Sequence, residues 1–129
     1  MDRRLYQRIP VQVPAIATTE AGVRIKVVAV EVSNLGLCVE CNNKQRDMIT
    51  PRGCFVHEGR PVSVCVDLNL TTLDGLSSKV VARCQVVFSR RMSRDQCKIG
   101  LRYADIENSD HEQLVRFIQN TLNHQPCHS

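Results

Sequence analysis

A chain of 129 residues that is 43% hydrophobic and 23% charged holds material for one globular domain with a buried core, and none for a second. Its longest apolar run is the four-residue segment Val27, Val28, Ala29 and Val30, far short of a helical bilayer span, and no apolar leader follows the charged start, so a cytoplasmic protein is expected. Seven cysteines, an odd number set mostly in alternating apolar runs, favour reduced core thiols over a disulfide scaffold, and a net charge of +4 with only two tyrosines and three phenylalanines gives no base-stacking platform for nucleic acid.

In chain order, the first feature is charge. Arg3, Arg4 and Arg8 stand ahead of any strand-like segment, where their guanidinium groups have no core to serve. Each offers a flat fork of donors suited to phosphate oxygens and to the O6/N7 edge of guanine, so residues 1–10 read as a flexible anion-binding arm; a basic N-terminus also serves solubility alone. Val11, Val13 and Ala15 then alternate with Gln12, Pro14 and Ile16, which predicts an edge strand, because proline lacks the ladder donor. Val23, Ile25 and Val27 fall on one face and Val28, Val30 and Val32 on the other, so a bulge or bend is expected near Val27 and Val28. Ser33, Asn34, Leu35 and Gly36 read as a turn, with Gly36 free to take a positive φ, and Leu37, Cys38, Val39 and Glu40 as the return strand.

Residues 41–59 become polar and irregular, punctuated by Pro51, Gly53 and Gly59, and read as a long loop with at most a short strand at residues 54–56. Alternation resumes at Val62, Val64, Val66 and Leu68, again at Val80, Ala82, Cys84, Val86 and Phe88, and again at Cys97, Ile99, Leu101 and Tyr103. A turn at Leu73, Asp74 and Gly75 and a charged loop at residues 90–95 separate them. About six strands without an internal repeat predict a small antiparallel sandwich or barrel. The period then changes. Ser109, Asp110, His111 and Glu112 form a capping box, and Leu114, Phe117, Ile118, Thr121 and Leu122 make one apolar stripe, so a helix should pack on the barrel. Residues 11–122 are the expected folded unit and residues 123–129 a disordered tail.

Arg4 and Arg8 in R-x-x-x-R spacing, a strand, and then Glu31, Ser33 and Gly36 as carboxylate-x-Ser-x-x-Gly together resemble the PilZ domain, a receptor module for the bacterial second messenger cyclic di-GMP. Gly59-Arg60-Pro61-Val62, Val86-Val87-Phe88 and Ile99-Gly100-Leu101-Arg102-Tyr103 are similar to the family's later strands, so the resemblance covers nearly the whole chain. It implies an all-β fold with one C-terminal helix, a six-stranded antiparallel split barrel whose ligand lies on the surface under the N-terminal arm. Arg4 and Arg8 would then pair with phosphate and guanine or stack on a base. Glu31 would accept from guanine N1–H and N2–H2, and the Ser33 hydroxyl and the backbone around Gly36 would bond the ligand. Arg3 resembles the extra arginine of members that hold cyclic di-GMP as a stacked pair.

The resemblance further implies an adaptor, not an enzyme, that orders its arm on binding and passes the signal to a downstream protein partner. One departure matters. The family has aspartate or asparagine where this chain has Glu31. The extra methylene adds a rotamer to freeze, a penalty of about 1 kcal/mol, so weakened binding is expected and Glu31→Asp is expected to tighten it. The alternative is a PilZ-fold adaptor that has lost its ligand and acts through protein contacts alone.

Two other constellations compete. Cys38-x2-Cys41, twelve residues, then Cys54-x2-His57 has zinc-ribbon spacing, although neither pair carries the glycine or tight turn such knuckles use. Arg90, Arg91 and Arg94 form a second basic cluster, which reads either as a solvated turn or as part of a basic nucleic-acid-binding barrel; nucleic acid is not the expected partner. For catalysis the chain offers no Gly-x-Ser-x-Gly elbow, no phosphate-cradling glycine loop and no His-x-x-x-His pair.

Overall fold

The computed structural model describes residues 8–54, 56–71, 75 and 77–123. Arg3 and Arg4, Leu73 and Asp74 of the expected turn, and residues 124–129 of the expected tail lie outside the described residues. Six long strands follow the alternation: β1 (Ile9–Thr19), β2 (Arg24–Val32), β3 (Gly36–Cys41), β6 (Ser63–Thr71), β7 (Ser77–Ser93) and β8 (Gln96–Ile106). They close into an antiparallel barrel in the order β1-β2-β3-β8-β7-β6. Its interior is filled by the expected faces: Val62, Val64, Val66 and Leu68, then Val80, Ala82, Cys84 and Val86, then Cys97, Ile99 and Leu101 are all buried. A helix, α2 (Asn108–Asn123), buries Leu114 and Ile118 in the same core, each stabilising by about 1.5–3 kcal/mol. It begins before Ser109, which is therefore already helical, and it runs on through Asn123.

The register explains the prolines of β1. Pro10 and Pro14 pair with Glu31 and Val28 of β2, whereas pairing with β6 begins only at Ala15. The first half of β1 is thus a local edge within the closed barrel. Ile9 and Pro10, grouped in sequence with the arm, are already strand.

Three expectations are corrected. The phase change in β2 falls later than Val27 and Val28: Ile25, Val27 and Ala29 point inward, the register shifts between Ala29 and Glu31, and Val32 then faces the core. Alanine carries little hydrophobic signal, which hid this position. Residues 41–59 are not one loop but contain α1 (Asn43–Ile49), a 3-10 turn (Pro51–Gly53) and β4 (Val56–His57), which forms a two-stranded ribbon with β5 (Arg60–Pro61) just beyond them. A reciprocal Asn42–Gln45 capping box starts α1, but only Ile49 of its residues is buried, so no apolar stripe announced it. The charged loop at residues 90–95 shrinks to a two-residue turn at Arg94 and Asp95, with Arg90 and Arg91 inside β7.

Antiparallel topology places the two helices at opposite barrel ends. α1 follows the end of β3 that pairs with the start of β8, and α2 follows the far end of β8. The Ser33 turn lies at the α2 end, between β2 and β3.

Candidate functional site

The β2–β3 turn is built around one hydroxyl. Ser33 Oγ accepts from the backbone N–H of Leu35 and of Gly36, each at 3.2 Å, and donates to the Gly36 carbonyl, while Ser33 N–H donates to that carbonyl at 2.9 Å. β8 ties the turn down. Tyr103 Oη donates to the Ser33 carbonyl at 3.2 Å and Tyr103 N–H to the Leu35 carbonyl at 3.0 Å. Burial pushes the Tyr103 phenol above its usual range, so it stays a donor at any ordinary pH. Tyr103→Phe should therefore loosen the turn and lower stability by about 1 kcal/mol, seen as a shifted denaturation midpoint with an unchanged m-value.

Gly36 does not take the positive φ expected of it; that conformation belongs to Gly22, Gly53, Gly59 and Gly75. What demands glycine is closeness: a Cβ at Gly36 would overlap the Leu101 carbonyl oxygen. A similar contact shapes the neighbouring floor. The register of β7 and β8 shifts between Val86 and Phe88, which turns the Phe88 ring onto Gly100, where a Cβ would overlap the ring. Arg90 stacks its guanidinium 5.5 Å from the centre of the same ring.

Between these elements lies an open groove of about 180 Å³. Arg8, Glu31, Ser33 and Gly36, four of the residues singled out in the sequence, all line it, together with Cys38, Phe88 and Arg102. The other two, Arg3 and Arg4, fall outside the described residues. Lys98 does not line the groove but holds Glu31, its Nζ 2.9 Å from Glu31 Oε1. That charge-assisted bond is the main reason the Glu31 carboxyl sits below its usual range, with the Cys38 thiol and the Arg8 charge helping. Burial, and then the Glu31 charge, push the Cys38 thiol up. Arg102 is oriented by a 2.7 Å bond from Nη2 to Gln85 Oε1. The groove therefore combines an ionised carboxylate acceptor with guanidinium donors over an apolar floor, which suits an anion that carries flat polar rings.

Sequence reasoning missed Lys98, Phe88 and Arg102 as site residues. Lys98, Gly100 and Arg102 share the outward face of β8 and were legible as such, but not the register that sets them beside Glu31. The zinc-ribbon residues separate. Cys38 faces Glu31, Cys41 on the opposite face of β3 points into the core, and Cys54 and His57 are exposed. Among the described residues no group of three or more His, Cys, Asp or Glu side chains is placed to hold a metal ion. Burial pushes Cys41 up to about 11 and Cys84 up to about 12, so both are neutral core thiols.

The family model described as PilZ domain matches residues 2–120. No curated protein matches the chain by sequence. Among solved structures, the Bacillus subtilis inhibitor of motility (MotI/DgrA) is similar with a TM-score of 0.71 at 18% identity, over 98% of this chain and 55% of that one. The PilZ domain of YcgR from Escherichia coli, with c-di-GMP, gives 0.60 at 10% identity over 95% and 94%. PlzA of Borreliella burgdorferi, in complex with c-di-GMP, gives 0.58 at 7% identity over 95% and 55%. At these identities the likeness is one of fold, and the chain spans about half the length of the motility inhibitor and of PlzA.

Proposed function

The chain belongs to the PilZ domain family, and from that premise we propose that it is a cyclic di-GMP receptor that signals by changing shape rather than by catalysis. The observation that carries this reading is the convergence of Arg8, Glu31, Ser33 and Gly36 on one groove. In it the two phosphates of the ligand meet the guanidinium groups of Arg8 and of Arg3 and Arg4, one guanine stacks or pairs on an arginine, and Glu31 accepts from a guanine N–H edge. Ser33 contributes chiefly by holding the turn, since its hydroxyl is engaged by Leu35, Gly36 and the Gly36 carbonyl. Ordering the arm over the ligand costs conformational entropy, which the phosphate and guanine contacts must exceed, and the closed arm presents a new surface to a downstream protein. Among the described residues no helix is long and apolar enough to cross a membrane.

Calorimetric titration with cyclic di-GMP is the test. Saturable heat is expected, with a stoichiometry that tells a single ligand from a stacked pair; neither heat nor chemical-shift change at high micromolar ligand would overturn the reading. One observation favours a second reading, an adaptor that has lost the ligand: the Glu31 carboxylate already has a cationic partner in Lys98.

A further inference from the structure

The Glu31–Lys98 contact crosses a strand. Glu31 is opposite Cys38 in the β2–β3 ladder, Cys38 is opposite Gly100 in the β3–β8 ladder, and Lys98 precedes Gly100 by two residues on the same face of β8. The two backbones are therefore two strand intervals apart, roughly 9–10 Å, and two long side chains must bridge them over β3. An aspartate would stop one carbon–carbon bond short, about 1.5 Å, enough to break the contact. Both partners are only partly exposed, at 29% for Glu31 and 21% for Lys98.

We propose that Lys98 is the positioning residue for Glu31, the two forming a matched pair in which the longer carboxylate reaches over β3 to the lysine and is thereby held for a guanine donor edge. This rests on the receptor reading above. A carboxylate has about four acceptor sites on two oxygens, so one lysine on Oε1 leaves capacity for a ligand N–H. The lysine also freezes, before the ligand arrives, the torsion that makes glutamate a poorer preorganised acceptor than aspartate. Glutamate at this position is then not a damaged aspartate but half of a two-residue device whose other half is on β8.

Besides the pair itself, Cys38 on β3 and Arg8 ahead of β1 face Glu31, Arg90 on β7 faces Lys98, and Glu40 on β3 stands opposite Lys98 in the β3–β8 ladder. Lys98, with its pKa raised by Glu31, stays charged and the raised Cys38 thiol stays neutral at and below pH 7, so within the Lys98–Glu31–Cys38 contact the group that titrates there is Glu31. Its folded pKa is lowered chiefly by Lys98, so its binding-competent ionised form persists to lower pH with Lys98 than without it.

The test is a titration of cyclic di-GMP into wild type, K98M, K98R, E31D and E31D/K98M, all checked for unchanged melting. Wild type and K98M are also followed from pH 7 down to about 4.5, near the ordinary glutamate pKa. K98M should weaken binding about tenfold, K98R should largely retain it, and K98M affinity should begin to fall at higher pH than wild type. E31D should gain nothing while Lys98 is present, which replaces the gain expected from the family pattern alone, whereas E31D/K98M should bind more tightly than K98M. K98M matching wild type in affinity and pH profile, or a strictly additive cycle, overturns the pairing and leaves the receptor reading standing. Binding by K98M with none by wild type makes Lys98 an occluder and also overturns it. No binding by any variant overturns the receptor reading, and this inference with it.

Discussion

Arg8→Ala is expected to weaken cyclic di-GMP binding by about 2 kcal/mol, roughly thirtyfold, without lowering the melting temperature. Arg8 is exposed, just ahead of β1, and its side chain faces the groove across from the Ser33 turn, so truncation removes a charge-assisted contact and leaves the core intact. Arg4→Ala is expected to cost a similar amount from the other arginine of the spacing. The control is Arg24→Ala, which removes the same charge from the start of β2 at the barrel's other end. A general attraction of a basic protein for an anion would weaken both variants alike and fade with salt. A site loses affinity only through Arg8 and Arg4, and equal losses in all three would show that the clamp assignment is wrong.

Gly36→Ala is expected to destabilise the fold by about 2–4 kcal/mol, lowering the melting temperature by roughly 10 °C, and to abolish binding by deforming the turn. The added methyl would overlap the Leu101 carbonyl oxygen, which is backbone of a residue paired with Leu37 in the β3–β8 ladder and cannot rotate away as a side chain could. Gly22→Ala is the informative comparison. Gly22 has a positive φ of 87° but open space around its Cβ position, so its replacement should cost about 1 kcal/mol of backbone strain and leave the groove unaffected. Similar melting temperatures for the two variants would mean that β3 can shift away from Leu101.

Which parts of this were readable from sequence follows from the range of the forces involved. Burial alternation is local, so the inward faces of β6, β7 and β8 and the α2 stripe could be read directly from Val64, Cys84, Ile99 and Leu114. The helix α1 could not, because its amphipathic signal amounts to Ile49 alone, although the Asn42–Gln45 box was there to be seen. The conformational reason given for Gly36 was wrong: a turn suggests a need for positive φ, whereas the constraint comes from Leu101, sixty-five positions later in the chain. Lys98 and Phe88 illustrate the same limit. Phe88 ends one of the stretches that resemble the family's strands and Lys98 directly precedes another, but only register, with its shifts at Ala29/Glu31 and Val86/Phe88, brings them to the site.

The prolines of β1 have a consequence for self-association. A barrel strand left without a neighbour is where a second chain adds its own strand, by swapping or by edge-to-edge growth. In this ring one such opening is the first half of β1, which pairs with β2 but not with β6. Pro10 and Pro14 remove two of its backbone donors, so an invading strand finds an incomplete ladder. Pro14→Val, harmless by hydrophobicity, would restore one donor at the place where a concentrated solution of this protein is most exposed to forming strand-swapped dimers.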